Sequence, residues 1–133
     1  MRAYKAYNAD KAHKAFDMQD YHNLLAWKKA LEFVKLVYRL TKLFPADELY
    51  GLVSQLRRAS VSVLANLVEG RGKPTDKDFV RFLYITTGSL NECQCYFELA
   101  LELGYIDKKQ FDFIYNKSKE VGYLVFQLIK SIK

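Results

Sequence analysis

Apolar residues return every three or four positions along most of the chain, and polar residues fill the opposite side. That period belongs to helices, not to the strict alternation of half-buried strands. It predicts four helices, at about 21–43, 45–70, 75–103 and 107–132, behind an arm of residues 1–20 whose amphipathic pattern is poor. In helix one, Leu24, Trp27, Leu31, Val34, Tyr38 and Thr41 form a bundle seam. A second apolar set, Phe33, Leu36, Val37, Leu40 and Phe44, points well away from the first, and Lys28, Lys35, Arg39 and Lys42 fill the wider gap. A helix apolar on two sides needs burial on two sides, so the second set is expected at an interface between subunits, with cover by the arm as the alternative.

The other helices are plainer. Leu49, Leu52, Leu56, Ala59, Val63 and Leu67 face inward on helix two; Pro45 opens it, and Gly70 and Gly72 are expected to stop it. Thr75 is a suitable N-cap for helix three, with Asp76 and Asp78 in its first turn. Gly88 and Ser89, small and mid-helix, are expected to admit a neighbouring backbone. Gly104 ends helix three, and Asp107 with Gln110 suggests a reciprocal cap for helix four. Phe111, Ile114, Ser118, Val121, Val125, Leu128 and Ile132 then repeat to the end. Four long helices on short links predict an all-α fold, an antiparallel up-down-up-down four-helix bundle.

Composition agrees with one domain: 133 residues, 50% hydrophobic and 27% charged, with only two prolines and six glycines. The net charge of +6 and pI near 9.2 favour anionic partners. The charge is uneven. Residues 21–44 carry five Lys/Arg against one acid, net +4; residues 76–106 are net −3, and 107–133 net +3. Cys93 and Cys95, two apart on a helix, do not face each other and are expected as two buried thiols. No run has the length and apolarity of a membrane span or a secretory signal, so a cytoplasmic protein with no membrane partner is expected.

A catalytic set is missing. His13 and His22 have no spaced metal-ligand partners, no nucleophile motif is present, and Gly70-Arg71-Gly72-Lys73 is too short to cradle a phosphate. No metal, cofactor or enzymatic activity is expected. The unusual feature is a polar stripe on helix two: Gln55, Arg58, Ser62, Asn66 and Glu69. It can be a solvated face, the lining of a ring's channel, or a hydrogen-bond network that fixes register. Because it borders the apolar face, a network near an interface, with Ser89 and Glu92 of helix three, is the favoured reading.

The run Phe44-Pro45, Glu48, Tyr50-Gly51-Leu52, Gln55-Leu56-Arg57-Arg58-Ala59, Ser62, Asn66 and Glu69-Gly70 resembles the four-helix-bundle proteins encoded in intervening sequences of bacterial 23S ribosomal RNA genes. So do Arg81-Phe82-Leu83, Gly88-Ser89-Leu90, Glu92, Trp27 with Ala30, and Leu103-Gly104-Tyr105-Ile106. The similarity covers about residues 20–133. Leu64 stands where a proline is common in that family, and Thr86-Thr87 where an alanine is. The resemblance implies a homopentameric ring. It also implies distant kinship with the accessory proteins of diversity-generating retroelements, basic pentameric bundles that bind nucleic acid and a reverse transcriptase. Two functions follow as expectations. One is binding of RNA or other nucleic acid through Lys28, Lys35, Arg39, Lys42, Arg57, Arg71 and Lys73. The other is a protein–protein scaffold, for a reverse transcriptase or another partner.

Overall fold

The computed structural model describes residues 20–132. The arm expected at the N-terminus lies outside them, apart from Asp20. Four α-helices follow in order: α1 Leu25–Thr41, α2 Leu52–Arg71, α3 Asp76–Glu102 and α4 Lys108–Ile132. Short 3-10 turns at Tyr21–Asn23 and Ala46–Glu48 precede α1 and α2, and no strand occurs among the described residues. Each helix packs mainly on two others around one core, α2 against α3 most extensively and α1 against α4 least. Phe33, Leu56, Leu67, Leu83, Leu90, Phe97, Ile114 and Val121 are fully buried at its centre.

The helix ends follow local chemistry. Thr75 Oγ1 accepts from Asp78 N at 3.2 Å. Asp107 and Gln110 cap each other, Asp107 N donating to Gln110 Oε1 at 2.9 Å and Gln110 N to Asp107 Oδ1 at 2.7 Å. Gly104 takes φ +78°, and Tyr105 N closes back onto Ala100 O at 2.9 Å, the left-handed stop that glycine permits. Helix α2 starts later than Pro45 implies. Pro45 opens only the 3-10 turn, and Gly51, at φ −110° and ψ −112°, separates it from α2. Glu48 spans that break, accepting from Leu52 N with Oε1 at 3.1 Å and from Tyr105 OH with Oε2 at 2.7 Å.

Three expectations about packing are corrected. Helix α1 has one broad apolar face, not two. Its core line is Ala26, Ala30, Phe33, Val34, Val37 and Thr41, continued by Phe44. Leu31 and Tyr38, expected in the seam, are 37% and 39% exposed, whereas Phe33 and Val37, expected at a subunit interface, are 1% and 0% exposed. The alanines explain the inversion. They mark the true centre of the face but carry little apolar signal, so its two shoulders read as separate stripes. The second correction concerns glycine. Gly88 is exposed, and a Cβ there would meet nothing within 4 Å. Gly70 is the close contact, inside α2, where a Cβ would lie 2.7 Å from Phe82 Cβ. Third, only Cys93 is buried, its thiol pushed up to about 12 by desolvation; Cys95 is exposed.

Candidate nucleic-acid interface

The seam between α1 and α4 is not uniformly closed. The start of α1 lies against the end of α4, with Leu24, Leu25 and Ala26 near Leu124, Gln127 and Leu128. Midway, Lys29 Nζ spans the seam to Glu120 Oε1 at 3.2 Å and also meets Glu32 at 3.4 Å. The hydrogen bond and charge of Glu120, then the charge of Glu32, raise the Lys29 pKa, so it stays cationic. Beyond that tie the helices leave a cleft of about 390 Å³. Leu36, Leu40, Leu43, Phe113 and Ile114 line it, with Arg39, Lys109 and Gln110 at its rim. A smaller depression of about 260 Å³ continues it past Glu32, Lys35, Arg39 and Lys117.

The sequence places these side chains by simple periodicity. Leu36, Leu40 and Leu43 are one shoulder of the α1 face, and Lys35 and Arg39 sit one step outward from it. On α4, Lys109, Phe113 and Lys117 are four residues apart and so share one side. Phe113 is 52% exposed, and Lys117 Nζ lies 5.6 Å from its ring centroid. The arrangement offers four cations, one acid already engaged by Lys29, and an exposed aromatic ring over an apolar floor. Such a surface can hold phosphates by charge and flat rings by stacking.

Of the seven basic residues singled out in the sequence, the structure brings only Lys35 and Arg39 to this cleft. Lys28 and Lys42 are exposed on the same outer side of α1. Arg57 is tied down, its Nε donating to Thr41 Oγ1 at 3.0 Å and its guanidinium 4.7 Å from the Tyr38 ring centroid. Arg71 and Lys73 lie elsewhere, over the rings of Phe79 and Phe82 at 6.0 and 5.2 Å. Lys109, Phe113 and Lys117 escaped the sequence reading. Their four-residue spacing is the available signal, and the stronger periodicity of the buried α4 seam masks it.

The polar stripe divides in two. Ser62 Oγ pairs with Ser89 Oγ across α2 and α3 at 2.9 Å, and Asn66 Nδ2 donates to Ser62 O at 2.8 Å and to Ser62 Oγ at 3.0 Å. Gln55, Arg58, Glu69 and Glu92 are exposed, and Glu92 meets only its own helix through Tyr96 OH at 3.4 Å. The stripe is thus a three-residue clasp flanked by solvated side chains, smaller than the seven-residue network expected. Of the five residues expected at a subunit interface, Phe33, Val37 and Phe44 belong to the chain's own core, and Leu36 and Leu40 line the cleft. Among the described residues no group of His, Cys, Asp and Glu could hold a metal ion, and no helix is long and apolar enough to cross a membrane.

The fold has a counterpart among solved structures. The chain is similar to a crystallographically determined protein of unknown function from the S23 ribosomal protein family of Bacteroides thetaiotaomicron VPI-5482. The two share 29% identity and superpose with a TM-score of 0.73, over 80% of this chain and 99% of the other. Curated proteins give no match. The family model for 23S rRNA-intervening sequence proteins matches residues 22–127, from the turn before α1 almost to the end of α4. With the four helices and their shared core inside that match, the chain belongs to the 23S rRNA-intervening sequence protein family.

Proposed function

We propose that this protein is a non-enzymatic RNA-binding bundle that works as a homo-oligomer. The observation that supports RNA binding is the gathering of Lys35, Arg39, Lys109 and Lys117 around one cleft, with Lys28 and Lys42 exposed along the same helix. An ordinary solvated lysine face would be interspersed with acids; here Glu32 is the one acid lining the cleft, and Lys29 engages both it and the neighbouring Glu120. Neutralising several phosphates releases counterions, so affinity should fall steeply with salt. The test is a gel-shift titration with structured RNA at two salt concentrations. Binding at low salt that weakens steeply at high salt, and that weakens again in Lys35→Gln/Arg39→Gln, supports the reading. No binding at low salt removes it.

The same reading includes an antiparallel up-down-up-down bundle assembled as a ring, five subunits by resemblance. Opposed ends of α1 and α4 at the cleft support the first part. Exposed apolar residues outside the cleft support self-association: Leu99 and Leu103 on and just after α3, Tyr123 and Phe126 on α4. A monomer by light scattering at micromolar concentration contradicts the assembly and leaves RNA binding standing.

A further inference from the structure

We infer that the α1–α4 cleft takes an unpaired nucleobase of single-stranded RNA, stacked on Phe113. The inference rests on the RNA-binding reading and sharpens it. Phosphate recognition alone needs cations and has no use for the apolar floor of Leu36, Leu40, Leu43 and Ile114. Duplex RNA offers that floor nothing, because its bases are stacked inside the helix and it presents phosphates and sugar hydroxyls. An unpaired nucleotide carries both components within one residue: a flat apolar face and a charged phosphate beside it.

The cleft has the same pairing. The exposed Phe113 ring borders the apolar floor, and Arg39, Lys109, Lys117 and Lys35 surround it. Gln110 adds a polar group at the rim. Its side-chain oxygen is occupied by Asp107 N, which fixes the amide and leaves its NH₂ as the donor for a base acceptor. An acidic amphipathic peptide is the competing occupant. It would satisfy the charge and could also bury the ring, so displacement by such a peptide is one arm of the experiment.

The experiment uses a fluorescent 12-nucleotide single-stranded RNA and a blunt 12-base-pair RNA duplex as probes of the full chain. Phe113→Ala is expected to weaken single-strand binding by roughly tenfold while leaving duplex binding within about twofold. Phe113→Trp is expected to restore single-strand binding. Lys35→Gln/Arg39→Gln weakens both probes and flattens the salt dependence. A strand carrying 2-aminopurine, added to the unaltered protein, should lose fluorescence on binding as its base stacks, which keeps the test independent of how any variant folds. A matching single-stranded DNA separates base stacking alone from recognition of the ribose. If Phe113→Ala changes both probes equally or neither, or 2-aminopurine stays bright, base capture is overturned while RNA binding stands. An acidic amphipathic peptide that displaces duplex and single strand alike, with Phe113→Ala affecting only the peptide, overturns it in favour of a protein partner. If neither RNA binds at low salt, both readings fall.

Discussion

The α2–α3 seam and the α1–α4 seam are built from the same kind of amphipathic helix and end differently. Along α2–α3, Gly70 lets the backbone approach Phe79 and Phe82, the Ser62–Ser89 pair bridges the helices, and Leu83 fills the space between without exposure. Along α1–α4, the Lys29–Glu120 pair ties the middle, and beyond it Leu36, Leu40 and Phe113 stand back around an open cleft. Close packing needs small residues at the crossing. The first seam has Gly and Ser there, whereas the second has Leu and Phe, whose bulk holds the backbones apart and leaves apolar surface in reach of solvent. One seam is closed by small residues, and the other leaves apolar surface open to solvent.

Truncation should separate the seams most sharply. Leu83→Ala removes a fully buried side chain and should cost about 3 kcal/mol, within the range for leucine truncations in cores. Leu36→Ala at the half-buried cleft should cost about 1 kcal/mol or less, because part of its surface already faces water. Urea unfolding of both variants checks this. Equal losses would mean that the α1–α4 seam is as tightly used as its counterpart.

Two glycines give a smaller effect of opposite sign. Gly70→Ala pushes a methyl to 2.7 Å from Phe82 Cβ, which is rooted in the backbone and cannot swing away. Overpacking should outweigh the gain in helix propensity, a net loss of about 1–2 kcal/mol. Gly88→Ala adds its methyl to open space and should stabilise by up to about 1 kcal/mol. Thermal melts of the pair suffice. A stabilised Gly70→Ala would break the account of the tight seam.

The serine clasp should be smaller still. Ser62→Ala and Ser89→Ala each leave a hydroxyl short of its partner across α2–α3, although Asn66 still reaches Ser62 O. Each should cost about 1 kcal/mol, and the double variant less than the sum, because removing both partners leaves no unpaired group. Strict additivity in a double-mutant cycle would show that the pair contributes nothing across the seam.

The contrast between seams was half legible in the sequence. Periods of three and four residues marked all four helices, and Thr75, Gly104 and the Asp107–Gln110 pair marked ends that depend only on neighbouring residues. Position around a helix was harder. The α1 core line runs through Ala26 and Ala30, and only a facing neighbour reveals that small residues hold the centre. Likewise Gly70 and Gly88 are indistinguishable until α3 is placed against α2. Lys35 and Arg39 could be named as basic, but the cleft depends on Lys109 and Lys117, 70 or more positions away. Pairwise geometry of that range leaves no local trace in one sequence.

The link between the connections that flank α2 and α4 yields the weakest and most selective test. Just past α1 and just before α4, Phe44 and Tyr105 meet with ring centroids 5.5 Å apart, and Tyr105 OH donates to Glu48 Oε2 at 2.7 Å. That hydrogen bond, then the one from Leu52 N, lowers the Glu48 pKa, and Glu48 in turn raises that of Tyr105. The signs give two limits. A lowered carboxylate contributes stability above its unfolded pKa, and that contribution is lost as pH falls through the folded value. A raised tyrosine contributes below its unfolded pKa, and that contribution is lost as pH rises through the folded value. The gap in Tm between the native chain and Glu48→Gln should therefore be flat from about pH 6 to 9 and shrink at both ends. Both groups are only half-buried and water still screens the pair, so the gap itself is small. A gap independent of pH would mean that the Glu48 charge does not hold Tyr105, and that apolar contact with Phe44 alone joins the two connections at this end of the bundle.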